Sequence, residues 1–197
     1  MDTNKDNVAV SSLYTAAVWN WAKLRYAEVC TPPGSLGVFR AVNGYMRIYR
    51  WINPRFCDLR YQLLHRHQSI NCLLENNPTS KVIEIASGFS PRGAWFSRNR
   101  PVQYFEVDLP DVVEYKRRHL SRSELGLAIL KRPNFHLQAG DVMALRLDQW
   151  GPAVSTAIVS EGLMMYFSRD QQLKIWADIA KYINSVGGYY LFDYIPL

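Results

Sequence analysis

Two hydrophobic periodicities divide the chain near residue 80. Before it, aliphatic and aromatic residues return every three to four positions with no strand-like alternation. Leu13, Ala16, Ala17 and Leu24 are spaced this way, as are Leu59, Leu63 and Leu64 and then Ile70, Leu73 and Leu74. That spacing lines one side of a helix. Thr31-Pro32-Pro33-Gly34 breaks the first helix and Asn53-Pro54 breaks a second segment; a third helix is expected over about 56–76, closed by Asn76-Asn77-Pro78. After residue 80 short apolar runs alternate with helical stretches. Residues 81–86, 102–107, 134–137, 154–159 and 188–194 read as five strands, with helices near 91–99, 111–120 and 168–185. Ser90 before Pro91 is a helix start signal, and Ser168 with Gln171 makes a capping box. Strands alternating with helices predict a mostly parallel sheet covered on both faces. The fold class is therefore α/β. A helical N-terminal cap region over 1–78 precedes an α/β domain over 79–197, together forming a single compact unit.

Composition narrows the class without choosing a function. The 197 residues are 48% apolar and 20% charged, which suits one globular domain and excludes a disordered or fibrous chain. Lys and Arg outnumber Asp and Glu by 23 to 17, a formal charge of +6. That balance would suit a nucleic-acid partner. The positive charge is dispersed, however, and its short clusters (Lys116-Arg117-Arg118, Arg98-Asn99-Arg100) read as solvated helix faces or helix C-termini. No apolar run reaches the roughly 20 residues a membrane helix needs. The start, Met1-Asp2-Thr3-Asn4-Lys5-Asp6, is polar and carries two acids, unlike a signal peptide. Cys30, Cys57 and Cys72 are scattered, odd in number and without C-x-x-C spacing, as expected of reduced thiols in a cytoplasmic protein with no metal site.

In open α/β sheets ligands lie beyond the carboxyl ends of the strands, so those ends carry the candidate chemistry. The first strand runs into Glu84-Ile85-Ala86-Ser87-Gly88-Phe89-Ser90-Pro91-Arg92-Gly93. Small residues there let a ligand approach the backbone, and a helix start presents free N–H groups. The same residues also suit a plain tight turn, and the spacing is not G-x-G-x-x-G. The second strand ends Tyr104-Phe105-Glu106-Val107-Asp108-Leu109-Pro110. Alternation points Glu106 and Asp108 to one face, so either is placed to accept hydrogen bonds from a ribose diol, or one of them caps the next helix. Asp141 in Ala139-Gly140-Asp141-Val142 follows the third strand and is placed for an adenine amino group, with the Val142 amide facing a ring nitrogen. Glu161 in Ser160-Glu161-Gly162 follows the fourth, where a cofactor's amino-acid tail would lie.

The stretches Glu84 to Gly88 with Pro91-Arg92-Gly93, Glu106 to Pro110 with Lys116 after them, and Glu161-Gly162-Leu163-Met164-Met165-Tyr166 resemble the leucine carboxyl methyltransferase superfamily. Within it, the chain is most similar to the microbial O-methyltransferases associated with polyketide biosynthesis, over roughly residues 55 to 195. The resemblance implies a Rossmann-like class I fold and S-adenosylmethionine as methyl donor. It also implies that Arg66 pairs with the methionine carboxylate, a task suited to a planar fork of donors. Ala86 and Gly88 match the loop beside the methionyl part, Asp108 the ribose ligand, and Asp141 with Val142 the adenine contact. Glu161 matches the acid near the methionine amine, and Glu84 and Leu109 complete the cofactor-binding set.

Departures from the family are part of the reading. Relatives with a G-x-G loop have glycine where this chain has Ala86, and relatives often carry an acid at Asn71. A class I sheet has seven strands, and the run from Gly188 to Tyr194 is only the fifth. With the last two not in this sequence, an exposed edge strand is expected, and with it a fragment, a second copy or partner chain that covers the edge, or a variant that has lost activity. The function expected is S-adenosylmethionine-dependent methylation of a carboxylate or hydroxyl on a small molecule. Two alternatives stand beside it: a methyltransferase-like binding module that is inactive or needs a partner, and a nucleic-acid methyltransferase. Against the second, Glu161-Gly162-Leu163 occupies the place where amino-methylating enzymes carry an Asp/Asn-Pro-Pro-aromatic motif. No catalytic base is assigned: His136 lies inside a strand, and Tyr166 suits either the acceptor site or the core.

Overall fold

The computed structural model describes residues 3–53, 58–150 and 154–193. Four helices come first: α1 (Thr3–Trp21), α2 (Ala27–Cys30), α3 (Ser35–Ile52) and α4 (Leu59–Asn76). The rest alternates: β1 (Lys81–Ile85), α5 (Arg92–Asn99), β2 (Gln103–Asp108), α6 (Pro110–Leu120), α7 (Glu124–Leu130), β3 (Phe135–Ala139), β4 (Thr156–Ser160), α8 (Arg169–Val186) and β5 (Gly188–Phe192). All five strands are parallel, in the order β3-β2-β1-β4-β5. β1 is central, with Lys81 paired to Gln103 of β2 on one side and to Thr156 of β4 on the other. The chain therefore reverses its order at the β1–β4 crevice, where doubly wound sheets hold their ligands.

Every residue of β1 and β4 is buried, as strands covered on both faces require. Alternation sends Ile83, Ile85, Phe105, Val107 and Ile158 to one face, where Ile175 and Ile179 of α8 cover them. Val82, Tyr104, Ala157 and Val159 face the other way, under Ile70 and Leu74 of α4 and Phe96 of α5. On that same face α6 and α7 bury Val113, Leu120 and Ile129 against Phe135 and Leu137 of β3. Thus α4 shares a core with the sheet, while α1 reaches the first strand loop through Trp19 and Phe89.

Several expectations shift. The first helix ends at Trp21 and not at the Pro32-Pro33 break, because Lys23 and Tyr26 turn the chain through left-handed backbone (φ 54° and 65°). Helix α7 has no counterpart in the sequence reading; it is two turns long, with Ser123 accepting from the Gly126 N–H. Helix α5 begins at Arg92, with Pro91 in the cap position, and the Ser90 hydroxyl still accepts from the Arg92 N–H at 3.2 Å. The Ser168–Gln171 capping box forms in both directions. β5 pairs with β4, and Tyr194, the last residue of its expected span, lies outside the described residues, as does Cys57. Among the described residues no helix is long and apolar enough to cross a membrane, and no His, Cys, Asp and Glu cluster could hold a metal ion.

Candidate functional site

The loop leaving β1 is set by backbone geometry. Ala86 and Gly88 both adopt left-handed φ, 55° and 50°. Glycine enters that region freely, whereas alanine does so at a cost of roughly 1–2 kcal/mol. The turn aims the Gly88 N–H at Asp108, whose Oδ2 accepts it at 2.7 Å, while Oδ1 accepts from the Leu109 N–H at 2.8 Å. Asp108 therefore ties the tips of β1 and β2 together and caps no helix. Each carboxylate oxygen has about two acceptor positions, so one on each remains for a ligand. Burial raises the Asp108 pKa, with these two N–H groups opposing the rise.

Glu106, the other candidate for a diol, is fully buried and committed inward. Its carboxylate pairs with Lys116 Nζ at 2.5 Å, and that ammonium also donates to the Ser90 carbonyl at 2.9 Å. Alternation gives Glu106 and Asp108 the same face, but only Asp108 stands at the strand tip. The internal pair removes Glu106 from the site. Gly93 is glycine for the same reason, since a Cβ there would collide with Glu106 Oε1, Phe135 and Tyr104.

A second constellation lies beyond β1 and β4. Arg92 of α5 is wholly buried; its Nε donates to Asn71 Oδ1 at 2.6 Å, one terminal nitrogen to Glu84 and the other to Glu161 Oε2 at 2.6 Å. Asn71 is thus a direct partner of this guanidinium. Glu84 also accepts from the Tyr104 hydroxyl at 2.7 Å. Glu161 is reached by His67 Nδ1 at 2.9 Å and by Arg66 Nε at 3.0 Å. Burial pushes the Glu161 carboxyl up, but His67, Arg92 and Arg66 together outweigh it and hold it well below the usual carboxylate range. Burial and the Arg92 charge lower the His67 pKa, with Glu161 and Glu84 opposing them. Arg66 also donates to Asp193 Oδ2 at 2.9 Å.

These two groups border one cavity of about 390 Å³. Arg66, Glu84, Ala86, Gly88 and Glu161 lie on its wall, as do Trp19 and Tyr166. Asp108 is not on its wall but is bonded to Gly88, which is, and the Gly140 N–H donates to the Asp108 carbonyl at 2.9 Å, bringing the β3 loop alongside. Leu109, Asp141 and Val142 do not line the cavity. Asp141 is exposed and accepts from the Met143 N–H at 2.9 Å, capping a short 3₁₀ turn. A larger groove of about 780 Å³ follows α3 past Arg40, Arg47, Arg50 and Trp51, but it touches no strand end. The smaller cavity is the one the sheet builds.

Sequence reasoning missed His67, Asp193 and the role of Arg92, along with the contribution of α1. Ser11, Ser12, Thr15 and Trp19 supply one wall, and Ser11 Oγ lies 3.0 Å from the Tyr166 hydroxyl. Arg92 had one usable signal: an arginine in a loop that must be buried against a parallel sheet needs acids, and Glu84 is eight residues earlier.

Residues 54–180, about two thirds of the chain, match the family described as leucine carboxyl methyltransferase. A Parafrankia sp. (strain EAN1pec) protein, named for an inferred S-adenosyl-L-methionine-dependent methyltransferase activity, is 24% identical over 155 residues, covering 76% of this chain and 46% of that protein. A Mycolicibacterium gilvum (strain PYR-GCK) protein with the same kind of name is 32% identical over 97 residues, covering 47% of this chain and 30% of the other. This chain thus spans less than half the length of these relatives. Among solved structures, the glycopeptide N-methyltransferase MtfA complexed with S-adenosylhomocysteine has a TM-score of 0.49 at 17% identity, over 64% of this chain and 47% of that one. On the family match, the chain belongs to the leucine carboxyl methyltransferase family.

Proposed function

We propose that the protein binds S-adenosylmethionine across the tips of β1, β2, β3 and β4 and transfers its methyl group to a carboxylate oxygen of a small molecule. One observation carries the reading: Asp108 is fixed by the Gly88 and Leu109 N–H groups and keeps an acceptor position on each oxygen, beside a cavity that ends at Arg66 and Glu161. In this reading Asp108 takes the ribose diol, with Leu109 beside it, and Ala86 and Gly88 let the methionyl chain pass close to the backbone. Asp141 and the Val142 amide serve the adenine. Arg66 takes the methionine carboxylate. Glu161 spends most of its acceptor capacity on His67, Arg92 and Arg66 and offers the rest to the amine. Glu84 acts behind it, holding Arg92.

The bound sulfonium supplies an already activated methyl group, so the protein's task is alignment, which is worth up to roughly 7–11 kcal/mol of barrier. An alcohol acceptor benefits from a general base, whereas a carboxylate at neutral pH needs none. The described residues lining the cavity include no histidine or lysine, its two acids, Glu84 and Glu161, are both engaged by Arg92, and His67 behind it is buried and occupied. This favours a carboxylate over a hydroxyl. A second reading, a cofactor-binding module that reacts only with a partner, is favoured by β5: among the described residues it pairs with β4 alone and leaves Phe192 exposed.

Calorimetric titration with S-adenosylmethionine and S-adenosylhomocysteine tests the proposal. Binding is expected, and Asp108→Ala should weaken it roughly 10- to 100-fold, the worth of one charge-assisted hydrogen bond. A folded protein that binds neither ligand, or an Asp108→Ala variant that binds as well as the parent, overturns the reading. Binding without methyl transfer to any carboxylic acid in a screen supports the second reading.

A further inference from the structure

We infer that Asp193, at the end of β5, aims Arg66 at the amino-acid end of the methyl donor, so that Glu161, Arg66 and Asp193 form a row of alternating charge complementary to a zwitterion. This rests on the reading above. Position 193 lies beyond the family match over residues 54–180.

The Arg66 guanidinium is held on two sides, by Glu161 Oε1 at Nε (3.0 Å) and by Asp193 Oδ2 at one terminal nitrogen (2.9 Å). Asp193 is itself fixed, because its Oδ1 accepts the Gly162 N–H at 2.5 Å. Gly162 has φ +69°, and a Cβ there would stand 3.2 and 3.3 Å from the two terminal nitrogens of Arg66. The end of the guanidinium thus packs against a residue where the left-handed backbone and the close approach both disfavour a side chain.

Of its five N–H groups two are engaged. One on the nitrogen that meets Asp193 and both on the other remain, so each terminal nitrogen keeps a donor for a carboxylate. Asp193 and Glu161 Oε1 each retain acceptor capacity for an ammonium. All three side chains border solvent only slightly, at 16% exposure for Arg66, 13% for Asp193 and 6% for Glu161, so these charges are weakly screened. Without Asp193 the guanidinium is tethered through Nε alone, and its fork swings away from one orientation.

The test compares two ligands that share a nucleoside. S-adenosylhomocysteine carries the amino-acid tail and 5′-methylthioadenosine does not. In Asp193→Asn the dissociation constant for S-adenosylhomocysteine should rise at least tenfold while that for methylthioadenosine stays within twofold. Arg66→Gln should show the same split, and the double variant should lose little more than either single one. Unchanged binding of S-adenosylhomocysteine, or equal weakening of both ligands, overturns the inference; the latter means a purely structural role. Should Asp193→Asn fail to fold by circular dichroism, Asp193→Ser, whose hydroxyl can still accept from Gly162, is read by the same criteria. If the parent protein binds neither ligand, the methyl-donor reading itself fails, and that outcome is separate from loss of the split alone.

Discussion

Replacing Arg92 with methionine would put an apolar chain where one guanidinium now serves Asn71, Glu84 and Glu161, beside the His67 ring. The Arg92 side chain is 0% exposed and its acidic partners are 2% and 6% exposed, so the variant leaves Glu84 in the interior without its cation and Glu161 with Arg66 alone. Removing one partner of such a pair costs about 3–5 kcal/mol. A domain has only about 5–15 kcal/mol in total, and in this size range the loss corresponds to a melting temperature lower by roughly 6–20 °C. The pH dependence sharpens the test. In the parent, burial and Arg92 hold the His67 pKa below its ordinary value near 6.5. The unfolded chain therefore binds more protons there, and this group costs stability as pH falls through 6.5. In Arg92→Met the repelling charge is gone and two carboxylates remain beside the ring, so its folded pKa rises. The variant should then lose less stability than the parent on acidification through pH 6.5. Urea unfolding followed by tryptophan fluorescence at pH 8, 7 and 6 measures both effects. A loss below 1 kcal/mol at pH 7, or a variant whose stability falls toward pH 6 as the parent's does, would refute the reasoning.

Ala86→Gly should raise stability by up to about 1 kcal/mol, since it relieves the left-handed strain (φ 55°) while giving back some unfolded-chain freedom; a lower melting temperature would contradict the assigned backbone. Gly93→Ala is expected to cost about 1–3 kcal/mol, because the added methyl meets Glu106, Phe135 and Tyr104, and denaturant midpoints equal to the parent's would count against that close approach. Cys30 is buried and its thiol is pushed up to about 12 by burial, whereas Cys72 is exposed. In a Cys57→Ser background, a thiol reagent at pH 8 should label one cysteine promptly and the second only on unfolding. Prompt labelling of both would show that the packing around Cys30 is wrong.

The strand tips were legible because a strand buried on both faces is a run of apolar residues ending in small or polar ones, and that signal is local. Asp108 followed from it. Choosing between Glu106 and Asp108 did not, since a period of two gives the face of a strand and not the depth. The choice depends on Lys116, whose ammonium reaches Glu106 and the Ser90 carbonyl. Arg66, His67 and Arg92 meet at Glu161 from 95, 94 and 69 residues away. No spacing rule covers such distances, so the sequence could propose that Arg66 and Glu161 belong to the site but not that they touch. The wall from α1 was hidden for a similar reason: Ser11, Ser12 and Thr15 look like ordinary helix residues until the fold turns them toward Glu161. The true end of α1 depended on two non-glycine residues adopting left-handed backbone, which no residue preference announces.

The pairing of β1 with β4 has a consequence for how the chain is made. Lys81 and its partner Thr156 are separated by about 75 residues, all of which must leave the ribosome before the central pair can close. At cellular synthesis rates this takes about 4–15 s. During that interval α4 and α5 already cover Val82 and β2 pairs along one edge of β1, but the other edge of the future central strand is bare. Newly made chains thus pass through a half-sheet stage in which chaperone capture and mispairing compete with completion, and slower translation between residues 86 and 156 would lengthen that exposure.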